Sequence, residues 1–581
     1  MKMVKPVLIY DGKCGFCKIW IDYWRRLTGD RVEYAPSQDA GDRYPQIARE
    51  SFSKAVQLVR PDGSVVNGAE AVFETLECEW AYRPLAPVWE WAYRMIAGHR
   101  DGAYFITKWT FGTQIEPLRF ARTEWIFVRL LAVIYAIAFG SLAVQVTGLI
   151  GSHGILPAAD YLKAVTEGAG GMRFFYLPTI FWMNASDAAL TGVCYAGVAV
   201  AAIVFAGFVE RTGLALLCAF YLSLNAVGQD FLSFQWDSLL IEVGFLAIFL
   251  GNSKLVVWLF RWLLFRLMFL SGSVKLLSHD PAWRDLTALS YHYWTQPLPT
   301  VFAWYMAQAP LWFLKASTAF TFFVELAVPF FIFAPRRIRM VAAWLLIALQ
   351  ALIFLTGNYT FFNLLAIALC TFLFDDRSFW PKTNSRTQLP KKLIAAVAIL
   401  IVTLGLARML ETFSGSVIEP LASVVKYTGQ FEIVNSYGLF AMMTKSRPEI
   451  VVEGSMDGET WMAYSFRYKP GDLSRAPRWV QPHQPRLDWQ MWFAALGEYR
   501  GNPWFVNFAV KLLEGSPEVR GLLANDPFQG RAPRFVRAML YEYRFTDAQE
   551  RRETGNWWKR ELRGPYLPPV GLKTTSGVRF F

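Results

Sequence analysis

Apolar residues crowd into long runs across the centre of this chain. A hydrocarbon core roughly 30 Å thick is spanned by about 20 mainly apolar helical residues. Runs of that kind fall at 125–149, 188–208, 213–232, 238–252, 255–277, 312–334, 338–356, 360–374 and 392–411. Consecutive runs without alternating polar faces have no soluble surface to pack against. They predict an all-α polytopic membrane domain of about nine helices, the fourth and eighth short enough to be broken or re-entrant.

On either side the periodicity changes. Residues 4–10 read as a buried strand and 18–28 as an amphipathic helix; a strand at 32–36, a hairpin at 55–66 around Pro61-Asp62-Gly63 and a helix from Asn67 follow. That β-α-β then β-β-α order predicts a thioredoxin-like α/β domain over residues 1–118. Beyond the membrane domain, assigned to 119–411, residues 450–454 and 461–467 flank a Met456-Asp457-Gly458 turn and read as a hairpin, while 487–497 and 504–513 read as helices. Residues 412–581 are therefore expected to form a mixed α/β, strand-containing soluble domain.

Composition sharpens this division. Of 581 residues 54% are hydrophobic and 18% charged, against about 25% charged in an ordinary soluble domain. The net charge of +12 is spread: residues 1–124 hold 17 Lys/Arg against 16 Asp/Glu, residues 125–411 hold 19 against 13, and residues 412–581 hold 22 against 17. Such a spread argues against a nucleic-acid footprint, which concentrates charge on one face or tail. Within the membrane region the charge is topological, because cytoplasmic loops carry the Lys/Arg excess. Arg211, Lys254, Arg336, Arg337, Arg339, Arg377, Lys382, Arg386, Lys391 and Lys392 fall in even-numbered loops, whereas only Lys163, Arg173 and Arg284 fall in odd-numbered ones. The start of the chain has only a short apolar stretch before Asp11. The expected setting is a bacterial inner membrane, with the amino terminus cytoplasmic and, after nine spans, the region beyond residue 411 periplasmic or otherwise extracytoplasmic.

Six cysteines cannot form a disulfide framework in a chain of this length, and only Cys14 and Cys17 lie close together. They stand in Asp11-Gly12-Lys13-Cys14-Gly15-Phe16-Cys17, between the first strand and the first helix. At a helix start the first thiolate is stabilised by unpaired N–H groups and the helix dipole, and a cysteine one turn on can resolve a mixed disulfide. A structural CxxC and a metal site are the alternatives. A zinc site wants a second Cys or His pair, and none stands at ligand spacing, so no metal is expected. Cys78 is alone, and Cys194, Cys218 and Cys370 fall in apolar runs where packing is the expected role. The D-G-x-C-x-x-C motif after a strand resembles the DCC family of thiol-disulfide oxidoreductases, over roughly residues 4–115 and including the Asp62-Gly63 turn and Asn67-Gly68-Ala69. The resemblance implies Cys14 as attacking thiol and Cys17 as resolving thiol, with Asp11 and Gly12 as motif residues. A redox partner or a quinone would be the electron source or sink. Thioredoxins place a peptide-clamping proline before the hairpin strand; here Ser51-Phe52-Ser53-Lys54 stands instead.

A second resemblance covers residues 120–581. The stretches Asn435-Ser436-Tyr437-Gly438-Leu439-Phe440, Arg447-Pro448-Glu449-Ile450, Glu453-Gly454-Ser455, the run 482–495 (PHQPRLDWQMWFAA), Trp557-Trp558-Lys559-Arg560 and Gly564-Pro565-Tyr566 closely resemble lipase maturation factor proteins. Phe231 through Asp237 and Glu242 through Phe245 agree. The resemblance implies an integral membrane assembly or maturation factor whose soluble region meets an exported, lipase-like client protein. His483, Arg486, Asp488, Trp489 and Trp492 form a dense polar-aromatic patch. It reads either as a satisfied salt bridge in an aromatic core or as a partner-docking face, since Trp and Arg dominate interface energetics; catalysis by His483 is a third reading. No G-x-S-x-G occurs, which argues against a lipase.

One charge inside the membrane region stands out in the pattern. Lys275, in Phe269-Leu270-Ser271-Gly272-Ser273-Val274-Lys275-Leu276-Leu277, lies near the end of the fifth run. It either snorkels or pairs with Glu242, Asp280 or Asp285, or it marks a functional site. This short stretch is similar to one in vitamin K-dependent gamma-carboxylases, which implies a catalytic base at Lys275. His279 and His292 share the adjoining outer loop at no recognised metal spacing. The readings are thus a maturation factor with a fused cytoplasmic CxxC module, a membrane thiol-disulfide or quinone-linked oxidoreductase, or carboxylase-like chemistry at Lys275.

Overall fold

The computed structural model describes residues 5–113, 115–379, 387–572 and 578–580. Val4, at the start of the first expected strand, and Lys382 and Arg386 of the last even loop lie outside the described residues. The chain forms two compact units, Met1–Arg119 with Ala334–Val341, and Phe120–Phe333 with Ala342–Phe581.

The first unit is a small α/β layer structure. Strand β1 (Val7–Tyr10) runs into helix α1 (Gly15–Thr28), then β2 (Glu33–Pro36), β3 (Gln57–Val59), β4 (Val65–Asn67) and α2 (Gly68–Thr75). The sheet order is β2-β1-β3-β4, with β1 and β2 parallel and the other pairs antiparallel. Successive strand residues point to opposite faces, and both faces of β1 are covered. Leu8 packs with Ile21 of α1 and Ala71 of α2, while Ile9 packs with Ile47 and Phe52. Two further helices, α3 (Ala86–Gly98) and α4 (Arg100–Thr110), follow.

Among the described residues six helices are long and apolar enough to cross a membrane: α5 (Ala121–Ala143), α6 (Asp187–Ala206), α9 (Lys254–Leu277), α11 (Leu311–Phe333), α12 (Arg336–Thr356) and α14 (Lys391–Ser414). The other three apolar runs form α7 (Glu210–Val227, 18 residues), α8 (Gln235–Ala247, 13 residues) and α13 (Phe362–Cys370, 9 residues). At 1.5 Å per residue, α8 reaches only about 20 Å, short of a hydrocarbon core. It is buried on nearly every side, Asp237 and Glu242 included; a helix that is apolar all round and enclosed by protein has the hydropathy of a membrane span without its length. A short helix α10 (Ala288–Thr295) lies between α9 and α11.

The same unit contains the C-terminal region. Strands β5 (Pro448–Ser455), β6 (Met462–Ala463), β7 (Phe535–Phe545), β8 (Trp558–Leu572) and β9 (Val578–Phe580) form an antiparallel sheet in the order β6-β5-β7-β8-β9. The expected hairpin is β5–β6, with Glu453 opposite Ala463. The two expected helices are α15 (Arg486–Ala495) and α16 (Pro503–Leu513).

Candidate functional site

In the first unit, the sequence places the two thiols at the turn between β1 and α1. Cys14 is the N-cap of α1 and its Sγ accepts the Cys17 backbone N–H at 3.4 Å. Both cysteines are free and half-buried. Burial, followed by the neighbouring Cys14, pushes the Cys17 thiol up to about 12, with Arg100 acting the other way. Cys17 is therefore a protonated thiol at neutral pH, which suits a group that attacks only after the first sulfur has formed a mixed disulfide.

The preceding motif residues hold the turn. Asp11 Oδ1 accepts from Lys13 N at 3.0 Å and from Gln38 Nε2 at 3.1 Å, and its Oδ2 faces Arg100 at 3.4 Å. Gly12 N donates to Gln38 Oε1 at 3.0 Å, and a Cβ at Gly12 would stand 2.7 Å from Pro36 Cβ. No side chain larger than glycine fits there. Beside Cys17 lies a small apolar recess bounded by Trp20, Phe52 and Tyr93.

In the second unit, the polar patch at and just before α15 is turned inward. Arg486 is 1% exposed; its guanidinium donates to Asp237 at 2.8 and 3.0 Å, to Phe231 O at 2.6 Å and to Tyr221 Oη at 3.3 Å. Asp488 accepts the Tyr468 and Lys469 N–H groups, both at 2.8 Å. His483 Nδ1 meets Ser141 Oγ of α5 at 2.9 Å, and burial, then Arg486 and Arg467, push its imidazole down to about 4. The neutral imidazole and the Ser141 hydroxyl share one hydrogen bond whose direction is set by the imidazole tautomer. Arg486 and His483 join the C-terminal region to α8 and α5, Asp488 fastens the 468–469 backbone within that region, and none of the three presents a docking face. Trp489 and Trp492 are also buried, but they line a cavity of about 470 Å³ together with Trp236, Phe440 and Phe493.

A second polar clasp lies beside the first. Arg266 of α9 is paired with Glu242 of α8, both side chains being fully buried. Glu242 Oε2 accepts from Asn435 N at 2.9 Å and from Tyr437 Oη at 2.6 Å, and Arg266 donates to Asn435 O at 3.0 Å. Arg447 donates to Trp294 O and Pro297 O and faces Glu449 at 2.9 Å; Lys469 faces the other Glu449 oxygen at 2.9 Å. The sequence motif around 231–242 is thus the partner of both 435–440 and 486–488, while 447–450 is tied to residues 294–297 and to Lys469.

Lys275 does not pair with Glu242, Asp280 or Asp285. Its ammonium donates to Glu325 Oε1 and Oε2 of α11 at 2.9 and 2.7 Å and to Ser271 O at 3.0 Å. All three N–H groups are engaged, so a proton-abstracting role would require displacement of Glu325. Arg266 and Glu325 were missed as site residues, although both stand inside apolar runs; the rule that singles out ionisable groups in membrane segments applies to them as much as to Lys275. His279 lies against Arg284, and His292 donates toward Tyr359, so the two histidines of the outer loop do not share a site. Among the described residues no group of three His, Cys, Asp or Glu side chains could hold a metal ion.

A polytopic membrane unit with a clasped α/β region, preceded by a small α/β unit bearing a thiol pair, defines a class of membrane protein. The comparisons give the family. Residues 122–381 match the description "Lipase maturation factor transmembrane domain", residues 433–568 "Lipase maturation factor C-terminal domain", and residues 8–104 "DCC1-like thiol-disulfide oxidoreductase". Lipase maturation factor 2 of Homo sapiens is 36% identical over 585 aligned residues, covering 77% of this chain and 82% of that protein. Lipase maturation factor 1 of Mus musculus is 34% identical, with 78% and 87% covered, and that of Bos taurus is 35% identical, with 78% and 90% covered. The chain belongs to the lipase maturation factor family and is an integral membrane protein carrying a DCC1-like domain. No solved structure matches it.

Proposed function

We propose that this protein is a membrane maturation factor for exported lipase-like proteins, with a thioredoxin-like redox module at its amino-terminal end. The observation that carries the maturation reading is the family match across both the membrane and C-terminal segments. The buried clasps support it, since they use the residues in which the resemblance is concentrated. The experiment is a deletion strain complemented with the chain. Specific activity of a secreted lipase should fall on deletion and return on complementation; unchanged lipase activity and an unchanged extracytoplasmic proteome would refute the reading.

The redox module is supported by the sheet order β2-β1-β3-β4 and by Cys14 at the N-cap of α1. In the proposed reaction, Cys14 sulfur attacks a partner disulfide and releases one partner thiol. Cys17 then attacks the Cys14 sulfur, yielding an intramolecular disulfide and a fully reduced partner. Two equivalents of an external thiol, themselves oxidised to a disulfide, then reduce the Cys14–Cys17 disulfide back to the dithiol; in the opposite direction a quinone takes two electrons and two protons from the dithiol, becoming a quinol and leaving the disulfide. Orientation follows the loop charges: the amino-terminal unit is cytoplasmic and the C-terminal region extracytoplasmic, which requires the segments containing α7, α8 and α13 to cross along with the six longer helices, α8 and α13 doing so only together with the residues that flank them, since neither helix spans a hydrocarbon core alone. Accessibility labelling of Cys14 and of a cysteine engineered at residue 470 from each side of the membrane decides it. Labelling of both from one side refutes the orientation.

A further inference from the structure

The buried pair Lys275–Glu325 is not sealed within protein. It forms one end of a cavity of about 410 Å³ bounded by α9, α10, α11, α12 and Phe440, within the size range of small-ligand sites. Most of the wall is hydrocarbon or aromatic, including Leu267, Met268, Phe320, Leu349 and Ile353. Its charged and aromatic polar side chains are Lys275, Glu325, His292 and Tyr359; Thr321 and Thr356, also in the wall, give their hydroxyl protons to backbone carbonyls, and Gln350 is paired with Asn363.

The hydrogen-bond inventory of that polar end has a direction. Lys275 spends its three N–H groups on Ser271 O and Glu325, leaving each Glu325 oxygen with spare acceptor capacity. Tyr359 donates its single proton to Gln296 Oε1 at 2.8 Å, so the 3.1 Å contact between Tyr359 Oη and His292 Nε2 requires the proton to sit on Nε2. His292 Nδ1 is then an acceptor. Glu325 and His292 thus offer acceptors to the cavity, with the Ser317 hydroxyl further along the wall; the ion pair is internally neutral, and its cation has no N–H left for an anionic head. The backbone is shaped around this end. Residues Phe323–Ala327 form a π-helical turn within α11, a feature that accumulates at functional positions, and Glu325 is carried on it. Gly272 of α9 permits the approach, since a Cβ there would lie 2.9 Å from Glu325 Cβ.

We propose that this cavity binds a neutral lipid whose head is an alcoholic hydroxyl, donated to Glu325 and His292, with its chain along the apolar wall. Diacylglycerol and long-chain isoprenoid alcohols share that chemistry.

The test uses the full chain in phosphatidylcholine nanodiscs and photoreactive probes: a diacylglycerol, a long-chain isoprenoid alcohol, the diacylglycerol with its hydroxyl acetylated, and the matching phosphatidic acid. Labelled residues are mapped by mass spectrometry. Loss of one hydrogen bond of about 1 kcal/mol corresponds to about fivefold in binding, so a free-hydroxyl probe is expected to label α11 and α12 at least fivefold more than the acetate or the phosphatidic acid. Which of the two alcohols labels more strongly identifies the source. His292→Phe should lower labelling about fivefold. Leu352→Trp, at an exposed position lining the cavity, should block it without removing any polar group. Equal labelling by the acetate, preference for phosphatidic acid, or labelling unaffected by both variants overturns the proposal.

Discussion

The two units use charge in opposite ways. Within residues 5–113 the ion pairs keep contact with solvent: Arg49–Asp42 has side chains 83% and 84% exposed, and the more covered Arg100–Asp11 pair still keeps 22% and 23%. In the membrane unit Arg266–Glu242, Arg486–Asp237 and Arg447–Glu449 are at most 1% exposed. Exposed pairs add little stability because water and salt screen them. Buried pairs are different, because removal of one partner leaves an uncompensated charge in a poorly solvated site. The first unit is therefore a small domain whose chemistry sits at one turn, while the second is held in one arrangement by polar groups that join segments remote in sequence.

This contrast can be broken experimentally, and the largest effect is chemical. Cys14→Ser should abolish thiol exchange with a model disulfide, while Cys17→Ser should accumulate the mixed disulfide at Cys14, both read by mass spectrometry of trapped species. Neither should shift the unfolding of the membrane unit. Next comes Arg486→Ala, expected to cost about 3–5 kcal/mol by stranding Asp237, read as loss of monodisperse protein in detergent.

A smaller effect is set by pH. The folded His483 imidazole is held at about 4, below its ordinary 6.5, so the unfolded chain takes up a proton first as pH falls. Stability should be constant above about pH 7 and decline between 6.5 and 4. His292, also held at about 4 by burial and then by Lys275, contributes in the same direction. His483→Asn should flatten the decline in part, and a decline unchanged by that variant would remove His483 from the account. The smallest effect is Arg49→Ala, which should leave thermal unfolding unchanged.

Much of the local structure was legible. Strand-CxxC-helix, the β5–β6 hairpin and helices α15 and α16 follow from period and turn residues that act over a few positions. The pairings were not. Asp237 and Arg486, or Glu242 and Asn435, are separated by some 200 residues or more, and one sequence carries no signal of which buried charge meets which. The same limit explains the polar patch at 483–492: its composition suits an interface, and it is indeed an interface, but one internal to the unit. Hydropathy failed to discriminate for a related reason. Apolar composition reports escape from water and does not say whether lipid or protein supplies the shelter, so α8 and α13 read like spans although they are 13 and 9 residues long. Lys275 was legible as a charge in a membrane segment, whereas its partner depended on the π-helical turn that carries Glu325.

The central claim is that buried charges join the C-terminal region and the membrane helices into a single unit. A double-mutant cycle on Arg486→Met and Asp237→Leu, followed by chemical unfolding of the full chain in mixed micelles, measures it most directly. The double variant is expected to be more stable than the sum of the two single losses by at least about 2 kcal/mol. Single losses that add to within about 0.5 kcal/mol would contradict it.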